Sequence, residues 1–491
     1  MESATQALRL NADTPSSVDT SRVRLPGFER HNLPVSVLHI GPGAFFRAHQ
    51  MDYFDQLNAV DPSWGVMAIA LRSRKTPEAL ARQNGLYTLV TLDEEVEYRL
   101  IGSLLDVEYF EDASAFDQFL QTGLRLITLT ITEKGYCLGN NGKLDLHHPD
   151  IAHDVENPNS PVSAIGWLVK GFRARQDAGM GGLTVLSCDN LPANGAKLKS
   201  AVLDYAEAVD PALSSWIEQE VYFPSSMVDS ITPATDASLI ERVEAHCGYA
   251  DAWPIQREAF TSWVIERIPG ADLPAFDRVG AILTEDVEQH EQAKLRLLNG
   301  AHSTLAYAGL ACGEESVATA TANSELHTLI ANMMRDEIKP SLEPPEGLDL
   351  DVYIDDLLRR FANPAIIHKL SQIAWDGSKK LPIRLLDTVR DNLAAGRSIE
   401  GLATGVAAWM RFIIRMTQAN SAITDPMADR LKALAKGVKD TADHDVDLFL
   451  SLTEIFEPEL VSQPKFSKAL KTAYDRVMVM EKSNLSGEEQ S

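Results

Sequence analysis

The chain is poor in cysteine: Cys137, Cys188, Cys247 and Cys312 are the only four in 491 residues, and no two form a CxxC pair. That excludes a disulfide framework or a zinc knuckle and reads as reduced thiols. None has a histidine or second cysteine at ligand-like local spacing, so no metal is expected. Positive charge is short as well. Against 70 Asp and Glu there are 45 Lys and Arg, a net charge of −25. Phosphate recognition needs a basic footprint, so nucleic acid is not an expected partner, although a local basic cluster can still hold an anionic substrate. No apolar run reaches membrane-spanning length, and the opening MESATQALRLNADTPSS lacks an apolar core of signal-peptide size. The expectation is a cytoplasmic protein without a membrane partner. Internal repeats are also lacking. What is present is ordinary globular material, 45% hydrophobic and 23% charged, long enough for two or three domains.

Residues 1–33 read as an extended lead-in, with Pro15, Pro26 and Gly27. Then comes PVSVLHIGPGAFFRAHQ: a β-branched run, the Gly41, Pro42, Gly43 turn, and a helix-like segment from Ala44. Gly41 permits a tight turn, Gly43 lets a pyrophosphate approach the backbone, and the helix start offers it free N–H groups. Phe46 stands where GxGxxG has its third glycine, so a plain strand–turn–helix is the alternative. A second strand, WGVMAIAL, runs into Arg72, Ser73, Arg74 and Lys75. An acidic residue there would take the ribose hydroxyl of NAD; the basic run leaves NADP open, or is a solvated loop. LRLITLTITEKGYC and GLTVLSCDNLPANG each read as a buried strand entering a polar loop, which places Glu133, Lys134, Asp189, Asn190 and Asn194 where open α/β sheets bind ligands, unless they only cap those loops. After about residue 285 helical periodicity dominates. The expected fold is an α/β, Rossmann-type dinucleotide-binding domain at 34–284, followed by a mostly α-helical substrate and catalytic domain at 285–491.

The stretch EQAKLRLLNGAH at 291–302 has helix-forming composition. At about 100° per residue, Glu291, Lys294, Asn299 and His302 fall within roughly 140° of one another, on the side that also carries Leu298 and Leu305. A lysine buried on that face has its pKa lowered toward that of a general base. Asn can donate to a developing oxyanion and His can hold a hydroxyl. An amphipathic helix with a core histidine and a snorkelling lysine would show the same spacing. Further on, His368, Lys369, Lys379, Lys380, Arg384 and Arg390 concentrate positive charge in an acidic chain, which suits a carboxylate or polyhydroxyl substrate or simple surface ion pairing.

Six ordered segments, HIGPGAFFRAHQ, LTITEKGYC, SCDN, MVDSITP, KLRLLNGAH and DGSKKLP, resemble the polyol-specific long-chain dehydrogenases, the family of mannitol 2-dehydrogenase and fructuronate reductase. The resemblance covers about residues 34–480. It implies zinc-independent hydride transfer between a nicotinamide and a sugar or sugar-acid carbonyl. It makes Lys294 the general acid/base, Asn299 and Asn190 the oxyanion pair, His302 a substrate-orienting residue and Lys380 a second substrate lysine. Glu291 is expected to pass the proton to solvent. Gly41, Gly43, Ala44, Phe45, Arg47, Arg72, Glu133 and Asp229 are the expected cofactor contacts; Asn190, Lys294, His302, Gln372, Lys380 and Arg384 those of substrate. Gln372 and Arg384 make the segment more similar to fructuronate reductases, so reduction of D-fructuronate to D-mannonate is the first expectation. Mannitol or arabinitol 2-dehydrogenation is the alternative. Lys75, where NAD-dependent relatives carry an acid, and Ser230, where an Arg is usual, depart from the family pattern; NAD is still expected, with NADP open. Partners are a small sugar acid or polyol, with the chain a monomer or weak homo-oligomer. Zinc-dependent polyol oxidation and a catalytically silent nucleotide sensor are the readings from other classes.

Overall fold

The computed structural model describes residues 8–93, 95–111, 116–139, 141–366 and 368–488, with side chains through 482. The first seven residues of the lead-in therefore lie outside the described part. The chain divides into two compact units, 1–288 and 289–491.

The first unit is built on a five-stranded, all-parallel sheet of β1 (Val35–Ile40), β2 (Gly65–Ala70), β3 (Leu104–Tyr109), β4 (Leu126–Leu129) and β5 (Thr184–Ser187), in the order β3-β2-β1-β4-β5. The central strands read as nearly continuous apolar runs because helices cover both faces of such a sheet; β2, β4 and β5 are buried throughout. The chain steps outward from β1 to β3, then returns to β1's other side at β4. This reversal opens a crevice at the carboxyl ends of β1 and β4, where α/β sheets place their ligands. Two three-stranded sheets complete the unit: Ile255–Glu258 with Tyr87–Leu92 and Glu97–Ile101, and Ile282–Thr284 with Ser262–Glu266 and Ser226–Asp229. The lead-in is anchored, with Leu8–Arg9 pairing parallel to Tyr249–Ala250 and Leu10 and Val23 each 1% exposed.

The second unit has no strand longer than an isolated bridge among its described residues. A continuous helical run, Val287–Ala293, Lys294–Gly300 and Ala301–Ala311, enters it. The long helix Glu400–Gln418 crosses Ala301–Ala311 closely, because Gly405 brings the backbones together: a Cβ there would stand 2.3 Å from Thr304 Oγ1. The expected Rossmann-type unit followed by a mostly helical one is therefore what the chain forms.

Candidate active site

In the first unit the glycine turn sits at the sheet's reversal point. Gly41 has φ 95°, and a Cβ on it would lie 2.3 Å from Thr130 O, so no other residue fits that turn. Gly43 is different. The nearest atom to its Cβ position is Gly41 O at 3.8 Å, leaving open space above the start of helix Ala44–Ala48. An open cradle of that kind, lined by unfilled helix N–H groups, fits a dinucleotide pyrophosphate. Ala44 and Phe45 begin that helix. Phe46 takes the third glycine's place by turning inward to stack on His39 with ring centroids 3.4 Å apart. His39 is fully buried, bonded to Thr128 Oγ1 at 2.8 Å and to Thr130 Oγ1 at 3.1 Å, and burial pushes its pKa down to about 3.

Arg47 is not directed at open space. It is 2% exposed, its Nη1 donates to Trp253 O at 2.6 Å, and it lies between the Tyr87 and Trp253 rings. Sequence position placed it with the cofactor residues; the structure spends its charge on packing. The basic run after β2 is likewise partnered: Arg72 on Asp150, Arg74 on Glu111 at 3.1 Å and over the Tyr109 ring, Lys75 over Trp253. Glu133 is exposed in the short turn after β4, and Asn190 is exposed after β5. Asp189 and Asn194 do cap loops. The Asp189 carboxylate accepts from Ile131 N, Thr132 N and Tyr136 Oη at 2.8–3.0 Å, while Asn194 bridges Asp189 O and Ser226. Held this way, Thr132 adopts φ 65° and ψ 162°, a region otherwise left to glycine. Asp229 is 6% exposed at the end of its strand, and Ser230 Oγ donates to Phe260 O at 3.1 Å.

The second unit holds the Lys, Asn and His set. Lys294–Gly300 is a π-helical segment inside the longer run. With bonds from i to i+5, residues five apart come into line, so Lys294 and Asn299 share a face more closely than the α-helical spacing predicts. Lys294 is half-buried rather than buried, as are Glu291, Asn299 and His302. Gly300 packs against a second π-helical segment, Pro382–Leu386: a Cβ at 300 would lie 2.8 Å from Arg384 O. That contact brings Arg384 beside His302, with Arg384 Nη1 donating to Ser303 Oγ at 3.0 Å. The DGSKKLP segment is fixed from below. Asp376 takes φ 57°, Ser378 binds the Asp425 carboxylate through Oγ at 2.6 Å, and Gly377 leaves just enough room for Trp409 and Tyr307. Lys380 Nζ donates to Ile373 O at 3.2 Å, and the exposed Gln372 is the residue before Ile373 in the short helix Leu370–Ile373.

His302 stacks on Phe361, 5.1 Å between centroids, and meets the edge of His368. Burial pulls its pKa well below the ordinary histidine value, and His368, Arg384, Arg360 and Lys380 push the same way. Burial also lowers Lys380 and Arg384. Asn299 Oδ1, His302 Nε2, His368 Nδ1 and Arg384 Nε are buried polar atoms without a hydrogen-bond partner among the described residues. Such atoms are costly unless a ligand pairs them. Together they leave donors and acceptors available to a polar ligand. Sequence reasoning counted His368 only within a basic stretch and did not find Phe361 or Ser303; their approach to His302 is a product of the fold.

A reversing parallel sheet with an open glycine cradle, and a helical unit carrying lysine, asparagine and a neutral histidine in one set, define a dinucleotide-binding oxidoreductase acting on CH–OH groups. The chain belongs to the mannitol dehydrogenase family: the mannitol dehydrogenase Rossmann domain matches residues 35–275 and the mannitol dehydrogenase C-terminal domain residues 286–478. It is 39% identical to D-mannonate oxidoreductase of Escherichia coli (strain K12), over 93% of this chain and 96% of that one. It is 32% identical to polyol:NADP oxidoreductase of Gluconobacter oxydans (strain 621H), over 80% of this chain and 83% of the other. Mannitol 2-dehydrogenase of Pseudomonas fluorescens, solved as a ternary complex with NAD and D-mannitol, matches with a TM-score of 0.80 at 33% identity, covering 98% of this chain and 100% of that one.

Proposed function

We propose that the chain is a zinc-independent sugar-acid oxidoreductase that reduces D-fructuronate to D-mannonate with NADH. The observation that carries this reading is the set of basic side chains around His302, Arg384, Arg360 and Lys380, in a chain whose net charge is −25. A substrate carboxylate suits this surround, and Arg384, whose buried Nε has no hydrogen-bond partner among the described residues, has the fork geometry to receive it. Lys294 delivers the proton to the carbonyl oxygen. Asn299 donates from its amide to the alkoxide as it forms, and Asn190 keeps the amide role that the family resemblance implies. His302, uncharged, accepts or donates one hydrogen bond to a substrate hydroxyl, and Glu291 relays the proton to solvent. The cofactor, when bound, supplies the hydride at its nicotinamide; Gly41, Gly43, Ala44 and Phe45 hold its pyrophosphate. NAD is favoured because Arg72 and Arg74 are already engaged by Asp150 and Glu111, which leaves them less free for a 2′-phosphate.

The 39% identity to a D-mannonate oxidoreductase supports the substrate; the match to a mannitol 2-dehydrogenase bound to D-mannitol supports the second reading, oxidation of mannitol or arabinitol to the ketose. An activity screen of fructuronate, tagaturonate, fructose, mannitol and arabinitol, each with both cofactors, separates them. The proposal expects the highest kcat/KM on fructuronate with NADH. Strong turnover of neutral polyols alone would overturn it, and no turnover at all would favour a silent nucleotide sensor. No described helix is long and apolar enough to cross a membrane. A cytoplasmic monomer or weak homo-oligomer is proposed, to be checked by cell fractionation and light scattering.

A further inference from the structure

Cys137 ends the TEKGYC segment in a left-handed conformation, φ 53°. Its N–H donates to Lys134 O at 3.2 Å and its carbonyl accepts from Asp145 N at 2.9 Å, so the backbone that aims the sulfur is fixed on both sides. The sulfur's hydrogen bond among the described residues is a long one, 3.8 Å to Gly135 O. Opposite stands the start of helix Pro149–Glu156, where His148 is the N-cap and Asp150 lies in the first turn. A thiol, an imidazole nitrogen and a carboxylate oxygen from Cys137, His148 and Asp150 all lie within 4.8 Å of one another. Ligands of tetrahedral zinc stand roughly 3.3–3.6 Å apart, given bonds of about 2.3 Å to sulfur and 2.0–2.1 Å to nitrogen and oxygen, so modest side-chain rotations close the set.

We propose that Cys137, His148 and Asp150 form a zinc site in the Rossmann unit, with water as the fourth ligand. The mixed thiolate, imidazole and carboxylate donors select a borderline cation such as Zn2+ over Mg2+ or Ca2+. Cys137 is 3% exposed, whereas His148 and Asp150 are partly open, so the ion enters from their side. Asp150 also receives Arg72; its two oxygens let it keep the arginine on one and the metal on the other. None of the three has a part in the proposed hydride transfer. The site is a clasp joining the loop after β4 to helix Pro149–Glu156, independent of the chemistry. Cys137 and His148 are too far apart along the chain to read as a motif, and the fold brings them together.

The test uses the full-length, metal-stripped protein, titrated with Co2+ by absorption and with Zn2+ by calorimetry. Stoichiometric binding with a thiolate-to-cobalt charge-transfer band is expected. Cys137→Ser should remove the band and His148→Ala should weaken zinc by about tenfold or more, while Cys312→Ser changes neither. Absence of stoichiometric binding, or a band that survives Cys137→Ser, overturns the proposal. Should Cys137→Ser fail to fold by circular dichroism, His148→Ala and Asp150→Asn decide, and unchanged zinc affinity in both is equally fatal to it.

Discussion

The rings of His302 and His368 meet edge to face, 4.7 Å between centroids and 76° between planes. Burial, and then His368, Arg384, Arg360 and Lys380, lower the His302 pKa and so favour its neutral imidazole.

With the His302 pKa lowered by burial and neighbouring positive charge, its removal should cost rate without moving the acid limb of the pH profile. His302→Gln is expected to lower kcat/KM by about a hundredfold, the scale of losing an oriented hydrogen bond to the reacting substrate. The measurement is kcat/KM from pH 5 to 9. A limb that disappears in the variant would mean that His302 titrates in the active enzyme.

Arg384→Gln should discriminate between substrate classes. A charge-assisted hydrogen bond contributes about 1.5–3 kcal/mol, so turnover of a sugar acid should fall roughly ten- to a hundredfold or slightly more. Activity on a neutral polyol should change far less. Equal losses on both would place Arg384 in the scaffold rather than on the carboxylate.

The two glycines after β1 should behave oppositely. Gly41→Ala forces a Cβ onto Thr130 O and a strained φ, so thermal stability should drop by roughly 1–3 kcal/mol. Gly43→Ala meets nothing closer than 3.8 Å and should melt with the wild type, yet bind NADH at least about tenfold more weakly by fluorescence titration because the methyl enters the cradle. Unaltered NADH binding in Gly43→Ala would remove the cradle from the cofactor site.

His39 ties the stability of the Rossmann unit to pH. Its folded pKa, about 3, lies below the ordinary value of 6.5, so the unfolded chain takes up a proton first. Stability from this group is complete above pH 6.5 and is lost as pH falls toward 3, at about 1.36 kcal/mol per unit. His39→Gln should flatten the fall of the urea midpoint between pH 6.5 and 5. An identical slope in wild type and variant would show that other groups set the acid limit.

Much of this molecule was legible because it is local. A β-branched run, two glycines and a helix start lie together in 35–58, and Lys294, Asn299 and His302 lie within nine residues. What escaped depends on contacts distant along the chain. Nothing in the sequence says that Arg47 turns inward to Trp253, that Phe46 covers His39, or that Arg257 and Arg99 converge on the buried Asp52. The basic run 72–75 looked like a phosphate site because its acidic partners, Glu111 and Asp150, are remote in sequence. The spacing within 294–300 differs from a uniform helical angle for another reason: the helix widens there, which no residue type in the segment signals.

That widening has a consequence for length variation. A π-helical turn holds one residue more than the α-helical turn it replaces, and it persists at a cost in regularity. Removing one residue from 295–298 would let 287–311 close into an ordinary helix, relieving local strain and leaving the asparagine and histidine four and seven positions after Lys294, about 40° and 20° from it. A shortened chain should therefore fold at least as well as the parent and keep lysine, asparagine and histidine on one face, so that any loss of turnover measures what the widened turn itself adds to their spacing.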